Sequence, residues 1–297
     1  MHSKNTKIFG IIGYPLGHTL SPWIHNELFR LSGFDAVYLV WERPDWAQIG
    51  LSALRTLSVS GISVTIPYKE WAFQVSTQSC ETSQTMKSSN TLLFREDQIL
   101  AHNTDGEGAL RSILETDKHL LDPSDDSSIL ILGSGGSAKG ILYALHNYLR
   151  NQRKNDKAIA KKIYIYARNT KASEEMIQSI GHPETIRLIQ REELLANPKE
   201  FSLVIHTTPV GMKGIDGDPL LPKDFFHHDM ALFDIVYNPL ETELVHLAKK
   251  KNAEIIPGYK MLLYQGIKQF ELFSSIVPKQ KWIKHIDKIL LKQLKLR

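Results

Sequence analysis

The chain reads as an α/β protein of two domains, and three observations predict this. Short apolar strands alternate with helical stretches along the whole length. A composition break, Leu121 to Ser128 (LDPSDDSS), falls near the middle. The 297 residues suffice for two cores at ~150 residues per domain. Apolar residues make up 42% and charged residues 23%, with 18 Gly and 13 Pro, so a disordered chain and a fibre are excluded.

In order, Lys7 to Gly13 is a strand ending in a Gly-Pro turn. Ser21 is expected to cap a helix with Pro22 at its first position, followed by Trp23, Ile24 and Leu28 at helical spacing. Strands follow at Ala36 to Trp41 and Gly61 to Ile66, with a helix from Trp46 to Leu57 between them, and Lys69 to Val75 starts another helix. Ser89 to Phe94 and Gln98 to His102 form two short strands around an Arg95-Glu96-Asp97 turn, and Thr104 to Glu115 is helical. Beyond the break, Ile129 to Leu132 is a continuous apolar run of the kind found in buried parallel strands. A helix then runs through Tyr148. Further strands are predicted at Ile163 to Ala167, Leu203 to His206 and Ala231 to Val236, and helices at Thr242 to Lys251 and Met261 to Phe273. Arg150 to Lys162 is strongly basic and is expected to be a solvated helix end and turn.

The single cysteine, Cys80, rules out an intrachain disulfide and a thiolate metal cluster. No apolar run reaches the ~18–20 residues of a membrane helix. The stretch Ile8 to Ile12 stops at Gly13-Tyr14-Pro15, so no signal peptide is expected and the expected location is cytoplasmic. The net charge of +4 is concentrated at the end: seven Lys/Arg against Asp287 lie between Pro278 and Arg297. This is read as the solvated face of a terminal helix resting on Ile283, Ile286, Ile289 and Leu290, with no nucleic acid or membrane partner.

Gly133-Ser134-Gly135-Gly136-Ser137-Ala138 matches G-x-G-x-x-G/A directly after a strand and at a helix start. The first glycine makes the tight turn, and the second admits a pyrophosphate. The small residue lets helix and strand pack closely, while the helix N-terminus offers free N–H groups to the anion. The next strand leads into Arg168, Asn169 and Lys171 with no Asp or Glu for a ribose 2′-hydroxyl. The two cations suit a 2′-phosphate; the alternative is a pair of ordinary surface charges. Polar clusters stand at other strand ends: Pro15 to Pro22, Ser63 to Lys69, Ser89-Asn90-Thr91 and Asn103-Thr104-Asp105-Gly106. Ligands of open α/β sheets bind beyond the carboxyl ends of strands, and these hydroxyls, amide, lysine and carboxylate suit a small polyol acid.

These segments resemble the shikimate dehydrogenase family. Its H-S-x-S-P-x-x-H-N corresponds to His18 to Asn26, N-V-T-x-P-x-K to Ser63 to Lys69, V-N-T to Ser89 to Thr91, and N-T-D-x-x-G to Asn103 to Gly108. Its N-R-T becomes Ala167-Arg168-Asn169, and N-A-T-P-x-G-M becomes His206 to Met212. D-x-x-Y-x-P-x-x-T is matched by Asp234 to Thr242 and G-x-x-M-L-x-x-Q by Gly258 to Gln265. Thr19, Ser63, Ala167, Asn169 and His206 depart from the pattern.

The resemblance implies reversible reduction of 3-dehydroshikimate to shikimate with NADP, without a metal. Lys69 and Asp105 would be the catalytic pair. Thr19, Ser21 and Tyr237 would serve the substrate carboxylate, while Thr65, Asn90 and Gln265 would read the ring hydroxyls. Gly133 to Ala138, Arg168, Asn169, Lys171, Thr207, Thr208, Gly258 and Met261 would hold the cofactor. It also implies a substrate domain over 1–105 completed by 240–297, and a Rossmann-type domain with a parallel sheet over 106–239, in a monomer or homodimer. Two alternatives stay open: a quinate/shikimate dehydrogenase and a non-catalytic nucleotide-binding regulator. The Thr19 methyl group would disfavour the tetrahedral carbon of quinate. His18 and His25 are expected to be structural, and His227-His228 a surface pair.

Overall fold

The computed structural model describes residues 4–17, 19–152, 161–181, 183–215 and 217–296. His18 and most of the basic Arg150 to Lys162 stretch therefore lie outside the described residues. The chain forms two compact units, Met1–Gly108 with Leu262–Arg297, and Ala109–Met261.

The first half of the chain runs β1 (Lys7–Gly13), α1 (Ser21–Ser32), β2 (Ala36–Glu42), α2 (Trp46–Thr56), β3 (Val59–Val64), α3 (Lys69–Gln74), β4 (Gln78–Ser79), α4 (Glu81–Met86), β5 (Thr91–Arg95), β6 (Gln98–His102) and α5 (Asp105–Thr116). Its sheet has the order β2-β1-β3-β5-β6-β4. The β1 pairs are parallel, whereas β5 runs antiparallel to β3 and β6. That orientation matters for the site: β1, β3 and β6 end, and β5 begins, at one edge. Strand alternation divides the apolar residues between two faces. Ile12, Ile62, Val64 and Leu92 pack with Trp46, Leu54 and Ala72. Phe9 meets Phe29 and Phe273 on the other face, with ring centroids 5.6 and 4.7 Å apart.

Ser21 is the first residue of α1 and not its cap. The Thr19 hydroxyl takes the Ser21 amide hydrogen instead, at 3.3 Å. Asn26 covers part of the β2 edge: its amide group accepts from the Tyr38 N–H at 2.8 Å and donates to the Tyr38 carbonyl at 2.9 Å. Two polar edge groups that would otherwise invite strand addition are thereby satisfied.

The second half runs β7 (Ser128–Leu132), α6 (Gly136–Gln152), β8 (Ile163–Tyr166), α7 (Thr170–Gln178), β9 (Ile186–Leu188), α8 (Arg191–Ala196), β10 (Phe201–His206), β11 (Ala231–Asp234), α9 (Glu243–Lys249), β12 (Glu254–Pro257), α10 (Tyr259–Ser274) and α11 (Gln280–Lys295). The sheet of the second unit is parallel throughout, in the order β12-β11-β10-β7-β8-β9. Counted from β7, this is the 3-2-1-4-5-6 order of Rossmann folds, with its switch point between β7 and β10. Ile129 and Ile131 face Ile141, Leu142 and Leu145 of α6, whereas Leu130 and Leu132 face Leu194, Leu244 and Val245. Both faces are covered, which is why β7 is apolar from Ile129 to Leu132.

The C-terminal boundary differs from the expected return at residue 240. β12 pairs with β11 in register Ala231↔Glu254, and α9 packs on the same sheet through Leu244, Val245 and Ala248. Residues up to Met261 therefore belong to the second unit. The His227-His228 pair also differs from expectation: His228 is exposed, but His227 is half-buried with its Nε2 enclosed.

Candidate active site

The polar groups of the first unit collect where β1, β3 and β6 end. Lys69 opens α3 and Asp105 opens α5. The Lys69 ammonium donates to Asp105 Oδ2 at 2.5 Å, with the two side chains 26% and 12% exposed. A carboxylate in the first turn of a helix is favoured by the helix dipole. Its second oxygen is also held, since Asn90 Nδ2 donates to Oδ1 at 2.8 Å. Asp105 is thus fixed from two sides, while the Lys69 side chain stays partly exposed.

Asn90 is the hub of this cluster. Its side-chain carbonyl accepts from the Thr104 amide at 3.0 Å and the Thr91 hydroxyl at 2.8 Å, and its amide lies 3.4 Å from Gln265 Oε1. The backbone is pinned as well: the Ser89 amide donates to the Lys69 carbonyl at 2.9 Å, joining the two motifs. The structure therefore brings Lys69, Asp105, Asn90 and Gln265 together. Thr19 and Thr65 stand on the loops after β1 and β3 and Ser21 at the start of α1; Ser21 is buried and Thr65 is half-buried. Tyr237 belongs to the second unit, in the loop after β11.

Sequence reasoning places Thr104 in a polar cluster without giving it a role, and misses Gln269. The Thr104 hydroxyl donates to the Gln265 carbonyl at 3.2 Å. Gln269, 2% exposed, donates to the Asn90 carbonyl and the Thr91 hydroxyl, both at 3.0 Å, and accepts from Ser63 at 2.8 Å. The available signal is its spacing from Gln265: two glutamines four apart share one helix face. Ser63, where the family pattern has asparagine, thus serves as a donor to Gln269.

The Gly-rich turn lies at the switch point of the second sheet. Gly133 has φ +113°, and a Cβ there would sit 2.6 Å from Thr207 Oγ1 and 3.0 Å from Thr208 Cγ2. Only glycine fits. A Cβ on Gly135 or Gly136 would meet nothing within 4 Å, and both residues are exposed. The turn therefore presents bare backbone at the start of the 17-residue helix α6. Ala138 is fully buried beneath it. This arrangement fits a dinucleotide pyrophosphate.

The other cofactor candidates divide by chemistry. Arg168 and Lys171 are exposed after β8, while Asn169 caps α7 by accepting from the Ala172 amide at 3.0 Å. The Thr207 amide and hydroxyl both donate to the Leu132 carbonyl, at 2.9 and 2.7 Å, so Thr207 buttresses the turn. Gly258 passes the end of β11 so closely that a Cβ would lie 2.5 Å from the Asp234 carbonyl oxygen. Met261 is buried in the same apolar core as Ile141. Packing accounts for these last two.

Residues 11–92 match the family model of the shikimate dehydrogenase substrate binding domain. The chain is 45% identical over 281 residues to the NADP(+) shikimate dehydrogenase of Leptospira interrogans, covering 93% of this chain and 92% of that one. It is similar to the solved shikimate dehydrogenase of Aquifex aeolicus at 28% identity and TM-score 0.81, covering 97% and 99% of the two chains. The Thermus thermophilus enzyme, solved with NADP(H) and shikimate, gives 25% identity and TM-score 0.79 over 95% and 99%. This chain belongs to the shikimate dehydrogenase family.

Proposed function

We propose that the chain catalyses the reversible NADPH-dependent reduction of 3-dehydroshikimate to shikimate, a step of aromatic amino acid biosynthesis. The observation that carries the reading is the Lys69–Asp105 pair, held by Asn90 within a cluster of hydroxyl and amide groups. NADP, when bound, supplies the hydride carrier. The backbone of Gly133 to Ala138 would hold its pyrophosphate, and Arg168 with Lys171 its 2′-phosphate. Lys69 delivers a proton to the ketone oxygen as charge develops there, and Asp105 keeps the ammonium aimed. Asn90, Thr65 and Gln265 receive the ring hydroxyls, and Thr19 and Ser21 the carboxylate. The enzyme acts as a monomer or homodimer on this small acid. A single cysteine suits a reducing compartment, so we place it in the cytoplasm.

The test is an assay of the purified chain with shikimate and with quinate, each with NADP and NAD. Fast turnover of shikimate with NADP is expected. Equal efficiency on quinate would favour the broader dehydrogenase, and NADPH binding without turnover would favour a regulator. Lys69→Ala should lower kcat by about 10²–10⁴-fold and change shikimate affinity less, because Asn90 still holds Asp105. Near-normal turnover of Lys69→Ala would refute the proton-transfer role.

A further inference from the structure

We propose that His206 is a positioning residue for the dinucleotide: clamped by Asp234, it orients the Thr208 hydroxyl beside the Gly133 turn and so sets the affinity of the second unit for NADP. The inference rests on the reading of that turn as the NADP site. His206 and Asp234 are register partners at the ends of β10 and β11, and each side chain is 1% exposed. Asp234 Oδ1 accepts from His206 Nδ1 at 2.9 Å and from the Val236 amide at 3.0 Å, and Oδ2 accepts from the Thr242 hydroxyl at 2.5 Å. A carboxylate only accepts, so Nδ1 carries the hydrogen. Nε2, on the far side of the ring, is hydrogen-bonded to the Thr208 hydroxyl at 2.6 Å, and that hydroxyl also accepts from the Val210 amide at 3.3 Å.

That bond fixes more than a hydroxyl. Threonine carries its oxygen and methyl group on one χ1 torsion, so anchoring Oγ1 to His206 also anchors Cγ2. Cγ2 is the atom lying 3.0 Å from the Cβ position of Gly133. Releasing the hydroxyl lets the methyl group turn against the phosphate loop. Burying an imidazole–carboxylate pair costs desolvation that apolar residues would avoid. Here the pair ends on the half-buried Thr208 hydroxyl just beyond β10, whose last residue, His206, stands between Leu132 and Asp234 in the strand row.

The experiment is NADPH binding to the full-length chain, followed by nucleotide fluorescence, beside steady-state kinetics. In His206→Asn the amide overlays Nδ1 and keeps the Asp234 link, but nothing replaces Nε2. NADPH affinity should fall about tenfold, the worth of one lost hydrogen bond, with KM for NADPH rising and kcat little changed. Thr208→Val should weaken NADPH comparably, and Thr208→Ser, which keeps the hydroxyl, should restore it. In the Thr208→Val background, His206→Asn should add nothing. Unaltered NADPH affinity in both Thr208→Val and His206→Asn would overturn this inference alone, as would a His206→Asn penalty that persists without the Thr208 hydroxyl. Failure of the unaltered chain to bind NADPH would overturn the proposed function with it.

Discussion

At the residue scale, basic side chains act differently according to burial. Arg168 is exposed at the end of β8, with no carboxylate between residues 167 and 173 to compete for a ribose. Arg168→Ala should therefore raise KM for NADP about tenfold, a charge-assisted hydrogen bond's worth, and leave KM for NAD nearly unchanged. Equal weakening of both would show a structural role. His25 is the buried counterpart. It stacks on Tyr38 with centroids 4.2 Å apart, and its Nε2 lies 3.3 Å from Gln269 Oε1. Burial, only partly offset by Gln269, lowers its pKa from 6.5 to about 3. The unfolded chain then takes up a proton that the folded chain refuses. Stability is complete above about pH 6.5 and is lost as pH falls toward 3. At pH 4.5 the loss should be about 2–3 kcal/mol. Urea midpoints at pH 7 and 4.5 should therefore drop further for the unaltered chain than for His25→Phe, and parallel drops would refute the assignment.

At the scale of elements, legibility follows the strength of the local pattern. Ile129 to Leu132 announces β7 because both of its faces are buried, and the Gly133 turn follows from it. Glu254–Pro257 is opaque: two isoleucines between Glu254 and Pro257 carry no period, and only pairing with β11 makes them a strand. Helix α4 is hidden in ETSQTM, whose cap is the thiol of Cys80 accepting from the Ser83 amide. In the site, Lys69, Asn90 and Asp105 are visible as polar motifs at strand ends, and Gln265 through the family resemblance alone. The bond from Gln269 to Asn90 spans 179 residues, so no local signal marks it. The last helix is legible except in register. Ile283, Ile286, Leu290 and Leu294 of α11 are buried, with Leu294 in the place expected for Ile289. Lys281, Lys284, Lys288, Lys292 and Lys295 are exposed along it. Leu290→Ala should cost about 2–5 kcal/mol in urea unfolding, whereas Lys284→Ala and Lys288→Ala should each stay within about 0.5 kcal/mol. The reverse order would mean that charge, not the apolar stripe, anchors the helix.

At the scale of the whole molecule, the chain closes its two units by different routes. The second is one uninterrupted segment, Ala109–Met261, whose six strands form a parallel sheet with apolar clusters on both faces. The first is assembled from both ends of the chain. Phe9 of β1 packs on Phe273 of α10, and Asn90 is held by Gln269, so its core and its site need residues from beyond position 261. This asymmetry predicts how fragments behave. A chain of residues 105–261 keeps α5 whole, retains every strand of the parallel sheet and carries the Gly133 turn. It should fold cooperatively and bind NADPH, because most of its apolar partners are internal. Residues 1–108 alone should not fold, since removing Ile267, Phe270 and Phe273 opens the aromatic face of the sheet, a loss larger than the usual margin of stability. Far-ultraviolet circular dichroism with thermal melts, and NADPH fluorescence for the longer fragment, would check both outcomes. A cooperative melt from residues 1–108, or an unfolded 105–261, would show that the cores are not divided as the contacts among these residues indicate.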